Sequence, residues 1–215
     1  GSAALWVAVI SINVIGGAGI VWLAKNQNNN NGSDNVSVAS PITENNHIKG
    51  NSESAITLIE YSDFQCPACG TYYPLLKQLN EEFGDKIQFV YRHFPLQQHE
   101  NAKPAAIASE AADKQGKFWE MHDMIFENQD KWSEEENAEE IFISYANELG
   151  LNAAQFKNDL ASQEIKEKVD NDYKGGVKAR VNATPSFFLN GKTINTPGSY
   201  NEFKQLIQQA IDGLK

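Results

Sequence analysis

Cysteine is scarce in this chain: 215 residues hold only two, and both lie in the tetrapeptide Cys66-Pro67-Ala68-Cys69. No cysteine is left for a structural disulfide, so the folded core must depend on apolar packing. A structural zinc site needs four ligands, and here it would have to combine both thiols with two of the four histidines. No histidine lies at a familiar short spacing from the thiols, so we expect no bound metal and no other cofactor.

The chain also lacks an excess of positive charge. It has 18 basic and 28 acidic residues, which gives a formal net charge of −10. Nucleic-acid binding requires a basic surface, so this balance argues against nucleic acid as the main partner. Acidic surfaces are common on soluble domains, and the charge therefore indicates no other class of partner.

Charged residues are absent altogether from residues 5–24. At about 1.5 Å per residue, a helix of this length spans about 30 Å, the thickness of the hydrocarbon core of a bilayer. We therefore predict a transmembrane anchor within residues 1–25. A cleavable signal peptide is the alternative, although Trp22 departs from the small-x-small pattern that precedes a cleavage site.

The rest of the chain divides into a linker and one domain. Residues 26–53 are rich in Asn and Ser and poor in large apolar side chains, which predicts a flexible linker. The folded domain is predicted at residues 54–215, in the order β-α-β, helices over about residues 100–178, then β-β-α. Asn190-Gly191 predicts a hairpin with a type I′ turn. Four polar residues predict helix N-caps: Ser133, Asn152, Ser162 and Ser199.

The cysteine tetrad follows a strand-like run at residues 56–61 and precedes a helix-like run at residues 71–83. A thiol at a helix N-terminus faces free backbone N–H groups and the positive end of the helix dipole, and both favour the nucleophilic thiolate. This position predicts thiol–disulfide exchange, with Cys66 attacking and Cys69 resolving the mixed disulfide. The intervening Pro67-Ala68 would tune the redox couple. A metal clip and two inert core cysteines are the alternatives.

Thr184-Pro185, just before the predicted hairpin, is a second signal. An X-Pro bond is the main place where a cis peptide is accessible. A cis proline facing the thiols would leave the backbone of Thr184 free to pair with an extended substrate. The residues alone also fit an ordinary trans proline at the start of an edge strand.

Taken together, three features resemble the DsbA-type thiol–disulfide oxidoreductases of the thioredoxin-fold superfamily. They are the hexapeptide Phe64-Gln65-Cys66-Pro67-Ala68-Cys69, the long helical insertion, and residues 183–192 around Thr184-Pro185. The resemblance covers about residues 54–215 and implies an α/β thioredoxin fold with an inserted all-helical subdomain. One departure is Pro67-Ala68, because the best-known members carry His in this dipeptide and so place a positive charge near the thiol.

The resemblance also implies residue roles. Cys66 matches the nucleophile, Cys69 the resolving thiol, and Thr184 with a cis Pro185 the pair that holds the substrate. Glu60 matches an acidic residue that carries protons to the buried thiol, and burial would raise its pKa towards neutrality. A carboxylate at the strand end that faces solvent is the alternative for Glu60.

From these features we expect a monomeric, single-pass protein of a bacterial cell membrane, with its catalytic domain on the extracytoplasmic side. It would introduce disulfides into reduced exported proteins and be reoxidised by a membrane partner or a small-molecule oxidant. A disulfide reductase or isomerase on the same fold is one alternative. A non-catalytic peptide-binding or chaperone module is another.

Overall fold

A five-stranded mixed sheet lies at the centre of residues 37–214, the part of the chain that the computed structural model describes. Across the sheet the order is β1-β3-β2-β4-β5. Strands β2 and β3 are parallel, and every other neighbouring pair is antiparallel. The strand bounds are β1 His47–Gly50, β2 Thr57–Ser62, β3 Gln88–His93, β4 Ser186–Leu189 and β5 Lys192–Thr193.

The described part of the chain contains eight helices. The first joins β2 to β3, the last follows β5, and the other six lie between β3 and β4, where we predict the helical insertion. The arrangement is that of a thioredoxin fold with added helices. The bounds are α1 Pro67–Phe83, α2 Ala102–Asp113, α3 Phe118–Glu127, α4 Gln129–Trp132, α5 Ala138–Glu148, α6 Ala153–Leu160, α7 Gln163–Lys178 and α8 Tyr200–Asp212.

Both faces of the sheet are covered, which makes β2 a buried central strand. Alternate residues of a strand point to opposite faces. Leu58 belongs to the larger apolar cluster, which includes buried residues of α1, α8 and the helical insertion. Ile59 and Tyr61 belong to a smaller cluster with Val90 and Phe188. Because apolar packing holds β2 on both sides, the loop that follows it starts from a rigid strand.

The hairpin between β4 and β5 turns at Asn190 and Gly191, whose φ angles are 49° and 78°. Positive φ at both residues is what a type I′ turn requires, so this prediction is confirmed. The Asn190 side chain accepts a hydrogen bond from Thr57 N at 2.9 Å, and its backbone N–H donates to Thr57 O at 2.8 Å. These bonds fix the hairpin to β2, and with it the Thr184-Pro185 loop that leads into β4.

Three of the four predicted N-caps are confirmed. The side chains of Asn152, Ser162 and Ser199 each accept a hydrogen bond from the backbone N–H three residues further on. The prediction for Ser133 is wrong, because Ser133 directly follows α4 and the next helix begins at Ala138.

The predicted linker, residues 26–53, is wrong over its C-terminal part. His47–Gly50 forms β1, which pairs with β3. The His47 ring stacks on Phe118 with centroids 3.4 Å apart, and its Nε2 lies 2.7 Å from Glu110 Oε1. Phe118 and Glu110 belong to the helical insertion, so the local composition of the segment could not reveal them. The folded domain therefore begins before residue 54.

The predicted transmembrane anchor, residues 1–25, lies outside the described residues. Within residues 37–214, no helix combines the length and the apolar character that crossing a bilayer demands. The anchor stays a prediction from the sequence.

Candidate active site

The cysteine tetrad lies where β2 ends and α1 begins. Cys66 is the N-cap residue of α1, with an extended backbone at φ −68° and ψ 121°, and Pro67 is the first helical residue. Proline suits this position because its missing N–H would have no partner there. The backbone N–H groups of Ala68 and Cys69 lie in the first turn of α1 and lower the pKa of Cys66, although the Cys66 side chain forms no cap hydrogen bond. The helix start is thus arranged around this one sulfur.

The two free thiols have opposite electrostatic environments. The pKa of Cys66 is lowered to about 5, first because the Cys69 thiol donates a hydrogen bond to its sulfur. The Thr184 hydroxyl and the two backbone N–H groups lower it further, while burial opposes them. Burial raises the pKa of Cys69 well above the usual value. At neutral pH the pair therefore holds one thiolate and one thiol.

The two cysteines also differ in exposure. Cys69 is fully buried, and Cys66 retains 7% of its surface. Cys66 is thus more covered than its position at the helix mouth indicates. A substrate thiolate would have to approach through the small exposed part of Cys66.

The Thr184-Pro185 loop faces the tetrad, as the resemblance implies. Its peptide bond is cis. Cys66 Sγ lies 3.5 Å from Thr184 O, to which it donates a hydrogen bond in its protonated form. The Thr184 hydroxyl is buried, has no hydrogen-bond partner by distance and angle among the described residues, and lowers the pKa of Cys66. The structure brings these predicted site residues together across 118 positions of sequence.

Glu60 lies in β2 and is 2% exposed, which rules out the alternative of a solvent-facing carboxylate. Burial raises the pKa of Glu60 to about 8, although the nearby Ser62 hydroxyl lowers it in part. Once ionised, Glu60 in turn raises the pKa of Cys69. The carboxyl group and the buried thiol therefore interact, and Glu60 holds a proton at neutral pH. Its role as a proton carrier stays a prediction.

A small cavity of about 20 Å³ lies beside Glu60. Glu60 shares this cavity with three charged residues whose side chains reach solvent, Lys49, Lys77 and Asp123. The cavity therefore offers a route by which a proton could pass between Glu60 and bulk water.

Two residues that hold the thiol loop were not predicted from the sequence. Asp63 Oδ1 accepts the N–H of Gln65 at 2.7 Å and that of Cys66 at 3.2 Å, and Asp63 N donates to Cys69 Sγ at 3.5 Å. An aspartate three residues before the thiol, at a helix start, was an available signal, because Asp side chains accept nearby backbone N–H groups. Gln129 of α4 donates to Phe64 O at 2.6 Å and Cys66 O at 3.0 Å. No local pattern predicts that contact.

One group of residues away from the thiols could hold a metal ion. His47, His93 and Glu110 have ligand atoms within 4.8 Å of one another. The contacts are also complete without a metal, because Nε2 of each histidine lies within hydrogen-bonding distance of Glu110 Oε1, at 2.7 and 2.8 Å. Lys168 Nζ lies 3.5 Å from the same oxygen. The group joins β1 and β3 to the helical insertion.

Solved structures with the same fold include alpha-DsbA2 from Wolbachia pipientis, which is described as a thiol–disulfide exchange protein. Oxidised BdbD from Bacillus subtilis superposes with a TM-score of 0.73 at 22% identity, covering 82% of this chain and 98% of BdbD. Alpha-DsbA1 from Wolbachia pipientis has a TM-score of 0.72 at 21% identity, covering 80% of this chain and 94% of alpha-DsbA1. At these identities the likeness shows the fold.

Curated relatives at higher identity carry a different name. The Na(+)/H(+) antiporter NhaA 1 of Salinispora arenicola is 37% identical over 156 residues, which are 72% of this chain and 23% of the antiporter. NhaA of Herminiimonas arsenicoxydans is 38% identical over 155 residues, 72% of this chain and 24% of that protein. The chain thus spans about a quarter of the length of these relatives, and their transport activity is not carried over to it.

The family model described as thioredoxin matches residues 42–209, which include all five strands of the described part of the chain. The match covers most of the chain and contains both the thiol pair and the cis-proline loop. The chain therefore belongs to the thioredoxin family, and its fold is that of the DsbA-type thiol–disulfide oxidoreductases.

Proposed function

We propose that this protein is a thiol–disulfide oxidoreductase that acts as an oxidase through the Cys66–Cys69 couple. The observation that carries the proposal is the opposite displacement of the two pKa values, to about 5 for Cys66 and well above the usual value for Cys69. A stabilised thiolate stabilises the reduced form of the couple, and the disulfide form is then the stronger oxidant.

The reaction starts from the Cys66–Cys69 disulfide. A substrate thiolate attacks Cys66 Sγ, the S–S bond breaks, and its electron pair leaves with the Cys69 sulfur, which takes up a proton. A second substrate thiolate then attacks the substrate sulfur of the mixed disulfide. The substrate disulfide forms, Cys66 leaves as a thiolate, and two electrons have passed to the enzyme.

Glu60 would supply the proton to Cys69 in the first step. With a pKa of about 8, its carboxyl group is protonated at neutral pH. The electrostatic interaction between Glu60 and Cys69 supports this role. The cavity that Glu60 shares with Lys49 and Asp123 would return a proton from solvent.

In this function Thr184 and cis Pro185 would hold the substrate beside the sulfur. The reduced enzyme would be reoxidised by a membrane partner or a small-molecule oxidant. We place the domain outside the cytoplasm, anchored by residues 1–25, because disulfides persist in oxidising compartments. Carbonate extraction of bacterial membranes and protease treatment of spheroplasts test this placement. Full-length protein that is washed off by carbonate, or protected from external protease, would contradict it.

The oxidase activity is tested with a reduced, unfolded protein that has several cysteines. Oxidised enzyme should form one substrate disulfide per enzyme disulfide consumed, and the Cys66→Ser variant should form none. Equilibration with glutathione gives the potential: a value near about −120 mV supports an oxidase, and one near about −270 mV would make the protein a reductase. If Cys66→Ser retained the full effect on substrate folding, the protein would be a binding module.

A further inference from the structure

Asp63 is a buried carboxylate whose two oxygens are fully used. Its Oδ1 accepts the backbone N–H groups of Gln65 at 2.7 Å and Cys66 at 3.2 Å. Its Oδ2 accepts the N–H of Leu96 at 2.9 Å and lies 2.7 Å from His99 Nδ1. Asp63 therefore joins the loop that carries the attacking thiol to the loop between β3 and α2.

His99 connects this carboxylate to solvent. Its side chain is 19% exposed, whereas that of Asp63 is fully buried. His99 lines a surface groove with three other charged residues, Glu100, Lys103 and Asp170. Lys103 and Asp170 pair with each other at 2.6 Å. Of the charged residues that line this groove, His99 is the one in contact with Asp63.

The charge of Asp63 opposes the chemistry at Cys66. A carboxylate held one hydrogen bond from the backbone of Cys66 disfavours a second negative charge on the sulfur. An imidazole with protons on both nitrogens is positive and, bonded to Oδ2, offsets the carboxylate charge. The other titratable groups that face Cys66 are Glu60, also acidic, and Cys69, which donates a hydrogen bond to the sulfur. Among the hydrogen-bond partners of Asp63, His99 is the one whose side chain can carry a positive charge.

We propose that Asp63 and His99 act as a pair of positioning residues that sets the reactivity of Cys66. Asp63 holds the backbone of the thiol-bearing residue, and His99 orients the carboxylate and, in its doubly protonated form, offsets its charge. The inference rests on the proposed function only in that a reactive Cys66 is what an oxidoreductase needs. Neither residue touches the reacting sulfur, and both act through the Cys66 backbone and the local charge.

The pair is tested by two substitutions with opposite expected signs. Asp63→Asn removes the negative charge but keeps an acceptor for Gln65 and Cys66, so the pH midpoint of thiolate formation at Cys66 should fall. His99→Gln keeps a donor for Asp63 but removes the positive charge, so the midpoint should rise. We expect each change to alter the ratio of thiolate to thiol, at the pH of the wild-type midpoint, by at least about twofold, measured by the ultraviolet absorbance of the thiolate. The glutathione equilibrium should become more oxidising for Asp63→Asn and more reducing for His99→Gln.

Lys103→Gln is the matched control, because it removes a positive charge from the same groove without contacting Asp63. Its midpoint should stay at the wild-type value. Midpoints that do not move, that move in the same direction in both variants, or that move equally in Lys103→Gln would overturn the proposal. If Asp63→Asn fails to fold, His99→Gln alone decides, since a rise is required. None of these measurements needs a protein substrate. The proposal for Asp63 and His99 can therefore fail while the oxidase activity is confirmed, and the oxidase activity can fail while this proposal is confirmed.

Discussion

The lowered pKa of Cys66 has a different leading cause from the one that its position in the sequence indicates. A thiol at a helix start predicts stabilisation by the dipole and the first-turn N–H groups. In the structure the largest contribution is the hydrogen bond from the Cys69 thiol, and the Thr184 hydroxyl and then the N–H groups of Cys69 and Ala68 follow. The resolving cysteine is therefore also what keeps its partner ionised.

Replacing Cys69 separates these contributions. Cys69→Ala removes the donor, so the pH midpoint for alkylation of Cys66 should rise from about 5. Cys69→Ser keeps an O–H donor at the same position and should produce a smaller rise. The measurement is the rate of iodoacetamide labelling against pH for the two single-cysteine proteins. Equal midpoints in both variants would show that the hydrogen bond is not the leading cause.

Glu60 should make the oxidised protein less stable as pH rises. Its folded pKa, about 8, lies above the ordinary value of 4.5. A raised pKa contributes stability that is complete below about pH 4.5 and is lost as pH rises through about 8. Glu60→Gln lacks this dependence. Its free energy of unfolding, relative to the parent protein, should therefore increase between about pH 5 and pH 8.

Urea unfolding of the oxidised proteins measures this difference without any titrating thiol. The exposed Glu139 supplies the control, since Glu139→Gln should follow the parent protein over the same range. A gap between Glu60→Gln and the parent that stays constant with pH would contradict the raised pKa.

At the residue scale, sequence reasoning succeeds where the signal is local. Cys66 and Cys69 share a tetrapeptide, and Thr184-Pro185 directly precedes a recognisable hairpin. Asp63 was missed because half of its hydrogen bonds come from another loop, through Leu96 N and His99. The sequence shows the carboxylate but not the residues of the other loop with which it forms hydrogen bonds.

At the scale of elements, two identical patterns have different outcomes. Ser133 and Ser199 each precede a glutamate by three residues, which predicts a capping box in both places. Ser199 Oγ accepts from Glu202 N at 3.3 Å. Ser133 instead donates its backbone N–H to Gln129 O at 3.0 Å, and its carbonyl accepts from Gln65 Nε2 at 2.6 Å. Contact with the thiol loop thus overrides the local pattern.

These two serines give a matched pair of substitutions. Ser199→Ala removes a helix cap and should lower the free energy of unfolding by about 1 kcal/mol. Ser133→Ala removes a hydroxyl that caps no helix, so the expected change is close to zero. Denaturant titration of both variants measures the difference. Equal losses would mean that the hydroxyl of Ser133 has a structural role of its own.

Strand β1 shows the other limit at this scale. The order β-α-β, helices, β-β-α could be predicted because each of those elements carries its own apolar period or turn signal. His47–Gly50 has one large apolar residue, Ile48, and its order comes from pairing with β3. Local composition therefore predicts a linker at this edge strand, since the residues that stabilise the strand lie elsewhere in the chain.

At the scale of the whole molecule, the ionised thiol links redox state to stability. The folded pKa of Cys66, about 5, lies below its ordinary value of 9.0. A lowered pKa contributes stability that is complete above about pH 9 and is lost as pH falls through about 5. The reduced protein should therefore gain stability over this range relative to reduced Cys66→Ser.

Urea unfolding of the two reduced proteins at several pH values measures the gain. The gap should widen from about pH 5 to pH 9 and then level off. If it stays constant, the thiolate does not stabilise the folded reduced protein, and the main support for an oxidising couple is lost.

The separation of the two halves of the site has a consequence for how the protein is made. Cys66 Sγ and Thr184 O are 118 residues apart. A ribosome that adds about 5–20 residues per second finishes the thiol pair on the order of 10 s before the proline loop exists. During that interval the nascent thiols lack the cover that Thr184 gives to Cys66. The two thiols are therefore exposed to any oxidants or electrophiles in the compartment where the protein is synthesised.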